Sequence, residues 1–84
     1  MRTGHVVGRV WTTKKMDQLP AGALLEVQID GDGAHREKLV AFDTLGCGEG
    51  ERVLIATGSA AARHFRDSAV IVDAVVVGIV DSDA

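Results

Sequence analysis

A small all-β barrel with one short helix is the fold class that this sequence predicts, and three observations predict it. Five short segments rich in Val, Ile, Leu and Ala are separated by close-spaced turn residues. Ten glycines against a single proline provide many tight turns and few rigid ones. Only one stretch, 60–65, reads as a helix, opened by Gly58 and by Ser59 as its N-cap. Five strands and one helix in 84 residues fit a five-stranded Greek-key barrel similar to the OB-fold, in one domain over 1–84.

The first strand is read over 5–13, with Val6, Gly8, Val10 and Thr12 on one face and Val7, Arg9, Trp11 and Thr13 on the other. Gly8 inside it marks a bend or a close backbone approach. The second strand, 23–30, alternates Leu25, Val27 and Ile29 with Glu26, Gln28 and Asp30, the pattern of a half-buried strand. The turn at Asp30-Gly31-Asp32-Gly33 and a polar run lead to a third strand over 39–43, and the fourth spans 52–57. The last strand, within 70–80, barely alternates: Val70, Ile71, Val72, Ala74, Val75, Val76, Val77, Ile79 and Val80 are all apolar. A strand apolar on both faces must be covered on both. The barrel interior covers one face; a neighbouring molecule, or the short helix, covers the other.

Composition narrows the function. A chain of this size buries only about 60 % of its extended surface, so its core is marginal without a metal, disulfides or a partner subunit. A lone cysteine, Cys47, excludes an internal disulfide and a cysteine-based zinc site within one chain. Nine Lys and Arg against 12 Asp and Glu leave a net charge of −3, which disfavours a dedicated phosphate-backbone binder. Neither a targeting segment nor a membrane span is expected, and a cytoplasmic setting is.

Each candidate constellation has a simpler structural reading. Gly46-Cys47-Gly48-Glu49-Gly50 lacks the dinucleotide-loop spacing and precedes a strand, so it is read as a turn. The Asp30 turn lacks the glutamate that a calcium loop needs, Ala41 standing in its place. His5, His35 and His64 are scattered, and no metal site is expected. Ser59 is explained by capping and Cys47 by packing, so no catalytic residue and no cofactor is expected. Trp11 with Arg9, Lys14 and Lys15 is a thin version of the aromatic and basic surface of an OB-type single-stranded nucleic-acid-binding module, the alternative function.

Five ordered blocks carry a more specific signal. They are Gly8-x-Val10-x-x-Thr13-x-Lys15; Leu24-Leu25-x-Val27-Gln28; Val40-Ala41-Phe42-Asp43-x-Leu45-Gly46-Cys47-Gly48-Glu49-Gly50-Glu51-x-Val53-Leu54; Gly58-Ser59-Ala60-Ala61-Ala62-Arg63; and Val72-Asp73-Ala74-x-Val76-Val77-Gly78-Ile79-Val80-Asp81. With these blocks the chain resembles the EutN/CcmL family of bacterial microcompartment vertex proteins. It departs from the family pattern at Ile71 (usually Pro), at Cys47 (commonly Ala) and by one more Ala before Arg63.

The resemblance implies a non-enzymatic shell protein: a cyclic homopentamer at the five-fold vertices of a microcompartment shell. Its partners would be copies of itself and the hexameric shell proteins of the facets, with no nucleic acid or membrane. Pattern and resemblance together place the subunit interface at Gly48, Glu49 and Glu51 of the glycine loop, at Gly58, Ser59 and Arg63 of the helix start, and at Val72, Val76 and Ile79 of the last strand. Glu49 or Glu51 is expected to pair with Arg63, in the same or the next subunit. The loops at 18–22 and 31–38 are expected to meet the facets.

Overall fold

The computed structural model describes residues 1–31, 37–62 and 72–81. Its elements are β1 (Arg2–Val10), β2 (Ala23–Ile29), β3 (Lys38–Asp43), β4 (Arg52–Thr57), α1 (Ser59–Ala62) and β5 (Ala74–Ile79). The strands close into a barrel in the order β1-β2-β3-β5-β4. All pairings are antiparallel except that of β3 with β5. That parallel seam is the shortest, a single register pair, Phe42 with Val75.

Alternation in β2 does what the sequence predicts. Leu25, Val27 and Ile29 are buried in the barrel interior with Val6, Ala41, Val53, Ile55, Ala74 and Val76. A second apolar cluster lies apart from it, where Phe42, Ala61, Val72 and Val75 are buried together with Leu19 and Leu24 packed against them. The described turn of α1 therefore covers part of β5, through Ala61.

β1 differs from its expected pattern. It begins at Arg2 and ends at Val10, leaving Trp11 beyond the strand. Val6 pairs with Val27 but Gly8 pairs with Glu26, so Val7 is an extra residue. This bulge shifts the alternation by one, so Val10 stands opposite Leu24 and no longer shares the inward face of Val6. The glycine at Gly8 signalled the irregularity but not its consequence for the faces.

Gly4 is a point of close approach between β1 and β2. A Cβ there would lie 2.5 Å from the Gln28 carbonyl oxygen and 2.8 Å from Val27 Cγ1. Only glycine lets β1 and β2 approach this closely. Gly4→Ala is therefore expected to lower stability by about 1–3 kcal/mol, the usual cost of overpacking. Urea unfolding checks this, as a fall in midpoint at unchanged slope.

Candidate functional site: two opposed surface patches

The residues predicted to form an interface divide between the two ends of β4. Gly48 and Glu49 are exposed and Glu51 is half-buried just before the strand. Gly58 and Ser59 are exposed just after it. Six residues of strand separate the two groups by about 20 Å, at roughly 3.3 Å per residue. At the first end, Glu51 and Ile79 line one concavity of about 600 Å3 with His5, Gly50, Arg52, Val80 and Asp81. At the second, Gly58 lines another of about 420 Å3 with Arg2, Glu37, Leu39, Val40, Thr57, Asp73 and Ala74. Arg63, and with it the expected pairing to Glu49 or Glu51, lies outside the described residues, as do His35 and His64.

Two of the predicted residues do not face outward. Val76 is 2 % exposed and packs in the barrel interior. Val72 is buried in the outer cluster, against Val75 and Phe42. The exposed apolar part of β5 is its end, with Val77 at 39 % and Ile79 at 47 %. Alternation accounts for this, since Ala74 and Val76 face the interior while Val75, Val77 and Ile79 fall on the other parity. Beyond Val76 the ladder also carries a second irregularity. Ile55 pairs with Val76 and Leu54 with Gly78, so Val77 is an extra residue in the ladder. An uninterrupted run of apolar residues gives no sign of where such a shift falls.

Local hydrogen bonds set the shape of the first end. The Glu51 carboxylate accepts from the Gly48 amide at 2.6 Å, which fixes the turn between them. Gly46 and Gly50 have φ of 81° and 89°, conformations in the left-handed region that favour glycine. Beneath this loop sits Asp43, 2 % exposed, a residue that sequence reading did not single out. Its carboxylate accepts from the amides of Leu45, Gly46 and Cys47 at 3.0, 3.1 and 2.9 Å. The Cys47 thiol donates to it as well, at 3.4 Å.

These partners decide two protonation states. Burial pushes the Asp43 carboxyl up, but the amides and the thiol outweigh it and hold it below its ordinary value. Burial, the thiol's hydrogen bond to Asp43 and the nearby carboxylates push the Cys47 thiol up to about 11. A buried, protonated thiol is a poor nucleophile, consistent with the packing role read for it.

On the outer face, Asp30 gathers the Thr3 hydroxyl at 2.9 Å, His5 Nδ1 at 3.1 Å and Arg52 Nε at 3.2 Å. Burial disfavours this carboxylate, yet Thr3, Arg52 and His5 hold it below its ordinary value. Nearby, Arg2 donates two hydrogen bonds to Glu37, at 2.8 and 2.6 Å. The two clusters tie β1 to the turn after β2 and to β4. Among the described residues, no group of His, Cys, Asp and Glu could hold a metal ion. No helix there is long and apolar enough to cross a membrane.

The profile of the family described as "Ethanolamine utilisation protein EutN/carboxysome" matches residues 1–81. The chain belongs to this EutN/CcmL family. It is 37 % identical over 87 aligned positions to the bacterial microcompartment shell vertex protein GrpN of Rhodospirillum rubrum, covering 98 % of this chain and 94 % of that one. To the carboxysome shell vertex protein CcmL of Synechocystis it is 40 % identical, covering 98 % and 84 %. Among solved structures, a pentameric shell protein of the RMM microcompartment superposes with a TM-score of 0.87 at 42 % identity, covering 100 % of this chain and 94 % of that one.

The Asp43 network makes a pH prediction. A carboxyl whose pKa is depressed by folding stabilises the fold above its unfolded value, and that stabilisation is lost as pH falls through the folded value. Asp43→Asn is expected to cost about 1.5–3 kcal/mol near neutral pH, the range for hydrogen bonds to a charged group. The gap to the wild type should begin to narrow below about pH 4, where the unfolded-state carboxyl protonates, and close as pH falls through the lower folded value. Urea midpoints of both proteins across that range check it.

Proposed function

We propose that this chain is a structural shell protein whose homopentamer closes the five-fold vertices of a bacterial microcompartment, beside hexameric proteins of the facets. One observation carries the reading: likeness to a pentameric shell protein over the full length of the chain, at a TM-score of 0.87. The relatives GrpN and CcmL are likewise named as shell vertex proteins, which favours this role over a nucleic-acid-binding module.

Ring closure needs two different patches per subunit, each fitting its neighbour's complement. The two ends of β4 supply a pair. The first patch takes in Gly48, Glu49, Val77 and Ile79. The second takes in Gly58 and Ser59. β5 adds a backbone edge to the first. It meets β3 only at Val75, and the Val80 amide donates to the Arg52 carbonyl at 2.8 Å on the opposite side. By strand alternation the Ile79 amide points away from β4, toward that open edge. Val72 and Val76 shape the strand from within. Covering the exposed parts of Val77 and Ile79 is worth on the order of 1 kcal/mol each. Two side chains do not hold a ring, so backbone pairing and the loop contacts carry the remainder. The loop at 18–22 is the proposed contact to the facets.

Size-exclusion chromatography with light scattering should give the mass of a pentamer. The double variant Val77→Asp, Ile79→Asp should run as a monomer with an unchanged far-UV circular dichroism spectrum. Val76→Asp should instead lose the spectrum, because it places an unpaired charge inside the barrel. A double variant that remains pentameric would move the interface elsewhere.

A further inference from the structure

We propose that the segment leaving β1 is a docking site for an acidic segment of another protein, one that carries carboxylates around a single apolar side chain. Six cations lie among the described residues. Arg2, Lys38 and Arg52 each sit against a carboxylate, that of Glu37, Glu26 and Asp30 respectively. Arg9, Lys14 and Lys15 have no carboxylate partner among the described residues, and all three fall within 9–15. Residues 1–16 carry four cations and no Asp or Glu, although the whole chain has a net charge of −3. The positive charge is therefore concentrated within 9–15 and makes no ion pair among the described residues, with Asp17 the next carboxylate along the chain.

An apolar anchor point lies in the same place. Trp11 is 81 % exposed, and the Arg9 guanidinium stands 5.4 Å from its ring centroid, within cation–π range. Arg9 steadies the ring from one side and leaves the rest of it open. Beside it is a cavity of about 370 Å3 whose lining includes Trp11, Lys15, Leu19 and Pro20. That volume is at the small end of ligand clefts, enough for a side chain or two and not for a folded element. Cations around an aromatic ring, beside a small cavity that mixes Thr12, Thr13 and Lys15 with Leu19 and Pro20, fit a short peptide with acidic flanks and one apolar residue.

A nucleic acid fits less well. Trp11 offers a stacking platform for one base only, and the chain's net negative charge opposes a long polyanion. Assigning the acidic segment to a neighbouring shell protein rests on the vertex reading, whereas the chemistry of the site does not. In a ring the site recurs in every subunit, so weak single contacts would gain by avidity.

Trp11 is the only tryptophan, so its emission reports on this site directly. The probe is a fluorescein-labelled short peptide of Glu residues around one central Leu, titrated into the intact protein at low salt. Its Gln/Leu counterpart and an oligo-uridine of equal length are the comparison arms. The Glu/Leu peptide is expected to saturate a change in Trp11 emission and in peptide anisotropy. The double variant Lys14→Glu, Lys15→Glu should weaken it about tenfold or more, as reversal of two charge contacts would. Light scattering of the same samples reports the ring separately, so failure at the site and failure of the vertex reading are distinguishable. Equal binding of the Gln/Leu peptide, tighter binding of oligo-uridine, no binding at all, or an unchanged affinity in the charge-reversed variant would each overturn the proposal.

Discussion

Closing this barrel depends on β5. It pairs antiparallel with β4 along its length and parallel with β3 at one point, so it joins the two ends of the sheet. Its first half must be apolar on both sides. Ala74 and Val76 fill the interior, and Val75 packs outward against Phe42, Ala61 and Val72. Its second half has no described cover on its outer edge. One strand thus completes the fold of the subunit and leaves an apolar, hydrogen-bonding edge. For a chain of 84 residues, whose own core is small, a neighbour covering this edge, as proposed, would make assembly part of its stability.

The loop before β4 gives that edge a rigid neighbour. Asp43 ends β3 and collects three successive amides from the loop, and the Cys47 thiol adds a fourth donor. A buried carboxylate is costly unless its lone pairs are met, and here they are. Glu51 then fixes the second turn through the Gly48 amide. Neither carboxylate is arranged for chemistry; each holds backbone in place. The same is true of Asp30, whose partners on β1 and β4 brace the outer face. Together these contacts make the first patch a defined surface, as the ring contact proposed for it would require.

Much of the fold was legible in the sequence, because short-range rules govern it. The alternation of Leu25, Val27 and Ile29 placed β2 and its inward face, and 52–57 coincides with β4. What was not legible arises from strand pairing. A bulge is a property of two strands, so the extra residues at Val7 and Val77 leave little trace in one of them. Val76 was misplaced for a simpler reason: in a strand apolar on both faces nothing local says which parity points inward. Gly4 was missed because nothing local distinguishes a glycine under a neighbouring strand from one at a frayed end. Asp43 was quoted only as part of a block, since its amides come together only once the loop has folded back. The loop and helix-start residues were proposed for an interface from pattern and resemblance, and the division of Gly48, Glu49 and Glu51 from Gly58 and Ser59 at opposite ends of β4 emerged only in three dimensions.

Amide exchange at Ile79, followed by NMR as the protein is diluted from ring to subunit, tests most directly whether β5 serves both fold and assembly. Much slower exchange in the ring, with Val27 and Ile55 protected alike in both states, is the result expected if a neighbour covers this edge. Equally fast exchange of the Ile79 amide in ring and subunit would contradict it.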